Sequence, residues 1–257
     1  MGKRKSSPRL ATTSAAMLLS ILSPAGRVLY IFLPAGSCLA KVFACWLVPF
    51  FCVSIKKYEK DRMVTNMRII SGSCKGRKLK AVPGKSTRPT TDKMKETIFN
   101  WIGPYFSGGL GLDLFAGSGG VGLEALSRGL DRVIFIDHDK FAVQTVKANV
   151  SLCGFDDQGE IYQNDAGRAL KAVRKRGLQF DVIFIDPPYQ KQKIAALLEE
   201  IDKHSLLKET GSIVCEHAPE VTLPASVGKL VQAKQTHYGM SSLSLYNIQH
   251  SKEGETE

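Results

Sequence analysis

Between Ala11 and Ile55 the chain has no acidic residue at all. This stretch is apolar, yet Pro34, Lys41 and Pro49 interrupt it, so it lacks the run of about 18 clean apolar residues that a membrane-spanning helix needs. The six cysteines (Cys38, Cys45, Cys52, Cys74, Cys153, Cys215) include no CxxC pair and no Cys/His cluster, and no metal is expected. Cys153 and Cys215 read as small buried apolar residues rather than nucleophiles. No internal repeat is present, which sets solenoids aside.

The chain is basic, at +11, but unevenly so. Residues 1–66 hold ten Lys/Arg against Glu59 and Asp61, a net of +8; residues 67–257 hold 25 basic and 22 acidic residues, a net of only +3. The global charge therefore does not by itself establish nucleic-acid binding. The local distribution says more. Residues 67–104 carry nine Lys/Arg (Arg68, Lys75, Arg77, Lys78, Lys80, Lys85, Arg88, Lys93, Lys95) against Asp92 and Glu96. A second cluster, Arg168, Lys171, Arg174, Lys175 and Arg176, places 168, 171 and 175 on one helical face. Both suit phosphate contacts flanking a catalytic face, and a merely solvated surface suits the second equally well.

Two motifs carry chemistry. Asp186-Pro187-Pro188-Tyr189 follows the apolar run FDVIFI. Two prolines stiffen the turn and leave its carbonyls free to accept. Asp186 and the Pro187 carbonyl could take the two hydrogens of an exocyclic amine while Tyr189 stacks on the base that bears it. The second motif is LGLDLFAGSGGVG, residues 110–122: a short strand ending at Asp113, a turn in which Gly117 and Gly119 let a ligand approach, then a helix start. It also satisfies G-x-G-x-x-G, but Asp113 beside a pyrophosphate would repel it, which argues against a dinucleotide. Further strands end in Asp137, suited to a ribose diol, and in Asp165, placed to meet an adenine. Alternating strands and helices whose strands end in acids predict a doubly wound α/β sheet with its ligand at the strand C-termini.

Taken together, Met67-Arg-Ile-Ile-Ser-Gly72, Lys75-Gly-Arg-Lys-Leu79, Arg88-Pro-Thr-Thr-Asp-Lys93, Glu96-Thr-Ile-Phe-Asn-Trp101, Asp113 to Gly119, Asp186 to Tyr189 and Tyr238-Gly239 resemble the bacterial 16S rRNA (guanine-N2)-methyltransferases of the RsmD type, over Met67 to Gln249. Asp137 and Tyr189 stand where many members carry Glu and Phe. The resemblance implies a Rossmann-like fold dependent on S-adenosylmethionine (SAM), with a small basic N-terminal hairpin. It implies methyl transfer to the N2 of a guanine in 16S rRNA, free or in the assembling small subunit. Asp113, Phe115, Gly117, Gly119, Asp137 and Asp165 would hold SAM. Asp186, Pro187, Pro188 and Tyr189 would form the catalytic turn, and Arg77, Lys78, Arg88 and Lys93 would meet RNA. Glu216 and His217, in CEHAP, read as structural. A cytoplasmic monomer without membrane attachment is expected.

The implied organisation is a basic RNA-binding arm at 67–90, a methyltransferase domain at 91–249 and a frayed tail at 250–257. Lys75 to Val82 and the loop to Arg88 read as the hairpin-like arm, Asp92 to Ile102 as a helix, and Ser244 to Tyr246 with Ile213 to Cys215 as the strands that finish the sheet. Residues 1–66 show no helical or strand periodicity that would join a core. They suit a membrane anchor or signal, a transit peptide, or translated sequence upstream of a start at Met63 or Met67, the reading favoured here. Two other functions stay open: another amino-methyltransferase, such as an adenine-N6 enzyme, and a noncatalytic RNA-binding protein of the same fold.

Overall fold

The computed structural model describes residues 67–83, 91–188 and 193–249, together with a strand pair near the N-terminus. The chain divides into two compact units, Met1–Val64 and Thr65–Glu257. In the first, β1 (Met17–Leu22) pairs antiparallel with β2 (Val28–Leu33). The pair was not read from the sequence, which shows no periodicity that would join these residues to a core. Continuous apolar runs hide the two-residue period, while Pro24 and Gly26 between the runs are turn formers.

The second unit is built on one eight-stranded sheet. Its strands are β3 (Leu110–Asp113), β4 (Arg132–Asp137), β5 (Gly159–Gln163), β6 (Phe180–Ile185), β7 (Leu207–His217), β8 (Ser226–Val227), β9 (Leu230–Tyr238) and β10 (Ser241–Ile248), in the order β5-β4-β3-β6-β7-β10-β9-β8. The first five are parallel and the last three antiparallel. The order steps outward from β3 on one side and restarts with β6 on the other. That reversal opens a crevice above β3 and β6, where doubly wound sheets bind ligands. One expectation needs correcting: β10 does not finish the sheet, because β9 and β8 add to its far edge. β9 carries little apolar alternation in sequence, because many of its residues, including Lys234 and Gln235, are exposed.

Among the described residues, five helices pack on the sheet: α1 (Asp92–Ile102), α2 (Gly120–Ser127), α3 (Lys140–Cys153), α4 (Ala166–Lys175) and α5 (Ile194–Lys203). Their starts are written locally. Thr91, Asp139 and Asp165 are N-caps whose side chains accept backbone N–H groups of the first turn. Alternation along the strands separates two cores. Ile134 and Ile183 face Leu170 of α4 and Leu198 and Ile201 of α5. Phe135 and Phe184 face Phe99 of α1, Leu123 of α2 and Val146 of α3.

The basic segment is a hairpin, but its legs differ from those expected. The Ile69 N–H donates to the Arg77 carbonyl (3.0 Å) and the Leu79 N–H to the Met67 carbonyl (2.8 Å), so the first leg is Met67–Ile69. The hairpin packs on the second core through Ile69 and Leu79, and Val82 beyond it is also buried. Its turn has no choice at Gly72: φ is +85°, and a Cβ there would sit 1.7 Å from the Ser127 carbonyl oxygen.

Candidate active site

The Gly-rich turn joins β3 to α2 at the crevice. Its glycines do different jobs. A Cβ at Gly117, where φ is +54°, would meet only the Phe115 carbonyl oxygen, at 3.9 Å, so this face of the loop is open to a ligand. A Cβ at Gly119 would press inward on Leu123 and Val146 (3.3 and 3.4 Å), and one at Gly122 would strike Phe135 at 2.3 Å. Packing therefore excludes a side chain at Gly119 and Gly122, and Gly119 also takes the αL conformation of the helix cap, whereas the space at Gly117 is open.

Asp113 is buried at the end of β3, where its carboxylate accepts backbone N–H groups of Gly122 and Phe115. Burial raises its pKa to about 7, the Gly122 hydrogen bond holds it back, and the charge of Asp137 adds to the rise. Phe115 is partly buried against the α4–α5 core. Asp137 ends β4 and ties the site together: it accepts the Gly117 N–H and the Asp139 N–H, both at 2.9 Å. A carboxylate has about four lone-pair directions, so it can still receive two ligand hydroxyls. Asp165 lies two residues beyond the end of β5, not at the strand tip, and caps α4 by accepting from Gly167 (3.0 Å) and Arg168 (3.4 Å).

Asp186 follows β6 directly, with Pro187 buried and Pro188 exposed. Asp186 keeps exposed surface, yet crowding by protein raises its pKa well above the carboxylate range, and Glu216 and Asp113 push the same way. Because Ile185 pairs with Cys215, the next residues, Asp186 and Glu216, lie side by side at the C-terminal ends of β6 and β7. Glu216, read as structural from the sequence, thus lies next to Asp186, close enough for its charge to act on it. The signal was present: it is an acid at a strand tip, as Asp113, Asp137 and Asp186 are. His217 points the other way, fully buried, its Nδ1 donating to the Ala218 carbonyl and its Nε2 bonded to Ser244 Oγ, both at 2.9 Å. Burial lowers its pKa, in keeping with a neutral structural ring.

Lys93, in the first turn of α1, holds its ammonium 5.7 Å from the centre of the Tyr238 ring, and Tyr238 hydrogen-bonds to Thr97. The β9–β10 hairpin tip, bearing exposed Met240, therefore borders the strand C-termini beside α1. Arg77 lies near Cys153, at the end of α3 remote from the Gly-rich loop, whereas Lys80 lies beside the loop. Lys80 is one of the nine basic residues of the 67–104 stretch. In the second cluster Arg174 contacts His204 (3.1 Å) and Arg176 contacts Glu160 (2.8 Å), at the start of β5 and so on the far edge; only Arg168 lies near the ligand edge. Arg88 and Tyr189 lie outside the described residues. Among the described residues there is no cluster of three or more His, Cys, Asp or Glu suited to a metal, and no helix is long and apolar enough to cross a membrane.

These features fit SAM. A Gly117 cradle is open, a diol-compatible carboxylate sits one strand over, and the strand tips carry negative charge suited to a cationic sulfonium and ammonium.

The family described as Conserved hypothetical protein 95 matches residues 67–247. The chain is 57% identical over 180 residues to the Bacillus subtilis protein named "Putative rRNA methyltransferase YlbH", spanning 70% of this chain and 98% of that protein. It is 35% identical over 163 residues to Ribosomal RNA small subunit methyltransferase D of Haemophilus influenzae, spanning 63% of this chain and 84% of that one. A solved structure titled "Putative methyltransferase yhhF from Escherichia coli" superposes with a TM-score of 0.60 at 30% identity, over 72% of this chain and 98% of that one.

Proposed function

The chain belongs to the Conserved hypothetical protein 95 family, the RsmD family of rRNA methyltransferases, and on that premise we propose that it methylates the exocyclic N2 of a guanine in 16S rRNA. Its cofactor is SAM, which supplies, when bound, an electrophilic methyl group on a sulfonium. Asp113, Phe115, Gly117, Gly119, Asp137 and Asp165 form its site. Residues 67–90 bind rRNA, residues 91–249 carry the chemistry, and the protein acts on small-subunit rRNA in the cytoplasm. The observation that carries the reading is the rigid Asp186-Pro187-Pro188 turn at the end of β6, one strand from the Gly117 cradle.

The chain's own groups solve the chemical problem of this amine. The N2 lone pair of guanine is delocalised into the ring and is a poor nucleophile. Asp186 and the Pro187 carbonyl accept its two hydrogens, favouring a more tetrahedral nitrogen with its lone pair aimed at the methyl carbon. Tyr189 stacks on the base. The raised pKa of Asp186 makes it a better acceptor for the proton that leaves N2 once the new N–C bond has formed and the methyl–sulfur bond has broken, its electron pair going to sulfur to leave a neutral thioether. Most of the acceleration comes from positioning and electrostatics. Lys93, Arg77, Lys78 and Arg88 hold the phosphates.

Transfer of tritiated methyl from SAM to small-subunit rRNA, followed by nucleoside analysis, tests the reading. N2-methylguanosine is expected. N6-methyladenosine would instead support an adenine enzyme, and no transfer would support a noncatalytic RNA-binding role.

A further inference from the structure

One buried side chain touches both halves of the proposed machinery. Asn149, on α3, is fully buried. Its Oδ1 accepts the Lys80 N–H at 2.8 Å, and its Nδ2 donates to the Lys80 carbonyl and to the Ser118 carbonyl, both at 2.9 Å. Accepting from Lys80 fixes the amide's orientation, so both donors point at carbonyls. Ser118 lies between Gly117 and Gly119; Lys80 ends the second leg of the basic hairpin. A second strap runs alongside, from Ser118 Oγ to Met67 Sδ at 3.3 Å. The cofactor loop and the hairpin therefore share a hydrogen-bonded floor at its ligand-facing end.

We propose that Asn149 couples the two ligands, so that SAM and rRNA bind with positive cooperativity. The proposal rests on the reading that the loop holds SAM and the hairpin holds rRNA. A ligand that orders the loop fixes the Ser118 carbonyl, hence the Asn149 amide, hence Lys80 and the hairpin beside it. The second ligand then meets a segment already ordered and gives up less conformational entropy. Linkage makes the effect reciprocal: each ligand raises the other's affinity by the same factor. Asn149 is a positioning residue here and touches neither ligand.

The test measures 16S rRNA affinity by filter binding with and without saturating S-adenosylhomocysteine, and S-adenosylhomocysteine affinity by calorimetry with and without rRNA. The unmodified chain should show a coupling of about tenfold, within the usual range, equal in both directions. In Asn149→Ala the coupling should fall to about twofold or less while each ligand alone binds nearly as before. A merely structural role would weaken each ligand's binding and leave the ratio intact, and that result overturns the proposal. Met67→Leu keeps the side-chain volume and cuts only the second strap, so it reports even where Asn149→Ala fails to fold. Partial loss of coupling there supports the proposal; full coupling in the folded variants, or a ratio of one in the unmodified chain with both ligands bound, overturns it. The RNA reading itself is checked separately, through the dependence of rRNA binding on Arg77 and Lys78.

Discussion

Glu124 and Arg128, one turn apart at the end of α2, form an ion pair at 2.8 Å in which neither side chain is more than 6% exposed. Glu124 also accepts the Ile70 and Ser71 N–H groups, at 2.7 and 2.9 Å, and stands 3.7 Å from the Lys95 ammonium, which itself donates to the Arg68 carbonyl. Arg128 lies 4.4 Å over the Phe99 ring. One carboxylate thus clamps the hairpin to α1 and α2. Glu124→Gln leaves two buried cations short of a counter-charge and one hairpin N–H facing an amide NH2. Removing one member of a buried ion pair costs about 3–5 kcal/mol, so denaturant unfolding should show a loss of that order. A loss below about 1 kcal/mol would mean that the clamp is incidental.

Asp186→Asn should leave SAM affinity nearly unchanged and lower single-turnover methyl transfer by about 10²–10³, the usual worth of one positioned electrostatic contact. In the unmodified enzyme the acceptor is the ionised form. The rate should therefore fall as pH falls, with a midpoint well above that of an ordinary carboxylate, because crowding and then Glu216 and Asp113 raise the Asp186 pKa. A profile flat from pH 5 to 8 would remove Asp186 from the proton's path.

Asp113 makes a pH prediction of the opposite kind. Its folded pKa of about 7 lies above the ordinary 3.8, so its contribution to the stability of the cofactor-free protein is complete below about pH 4 and is lost as pH rises through 7. The ammonium of SAM favours the ionised carboxylate. Binding should therefore release a proton, and affinity should climb with pH up to about 7. Calorimetry in two buffers of different ionisation enthalpy measures the proton directly. Asp113→Asn should abolish that release, and an unchanged release would place the proton elsewhere.

Neutralising Arg77, Lys78 and Lys80 should weaken rRNA binding and flatten its log–log salt dependence by about one unit for each phosphate left without its cation. SAM affinity should hardly change. Arg77 lies toward the end remote from the cofactor loop and Lys80 beside it, so single variants can show how much of the hairpin the RNA follows. A slope that stays constant in the triple variant would send the RNA path elsewhere, starting from Arg168 and Lys93.

Much of the site was legible because it is local. Apolar runs that end in Asp113, Asp137 and Asp186 declare both a buried strand and a carboxylate at its tip. Once alternating strands and helices imply a parallel sheet, every such tip falls on one edge. The ends of α1 could be read for the same reason, since Thr91 and the spacing of Met94 and Ile98 lie within one window. What stayed hidden depends on partners far apart in sequence. Glu124 looks like a surface residue until Ile70 and Lys95 fold over it. Asn149 looks like any polar helix residue until Lys80 and Ser118 meet on it.

The sequence alone determined which chemical groups this protein carries and the order in which they meet the ligand edge: a hydrogen-accepting turn at Asp186, a glycine-rich turn at 117–119, acids at or near the strand ends. Covalent neighbours and the two short periodicities are enough for that, because each signal spans only a few residues. Only the tertiary structure decided that the basic segment packs on the core with Met67–Ile69 as its first leg, that Glu216 stands beside Asp186, and that a Cβ at Gly119 would press on Leu123 and Val146 while one at Gly117 would meet open space. Those outcomes depend on which distant backbone groups need a hydrogen-bond partner and which apolar faces need cover, and a linear pattern does not record who will supply either.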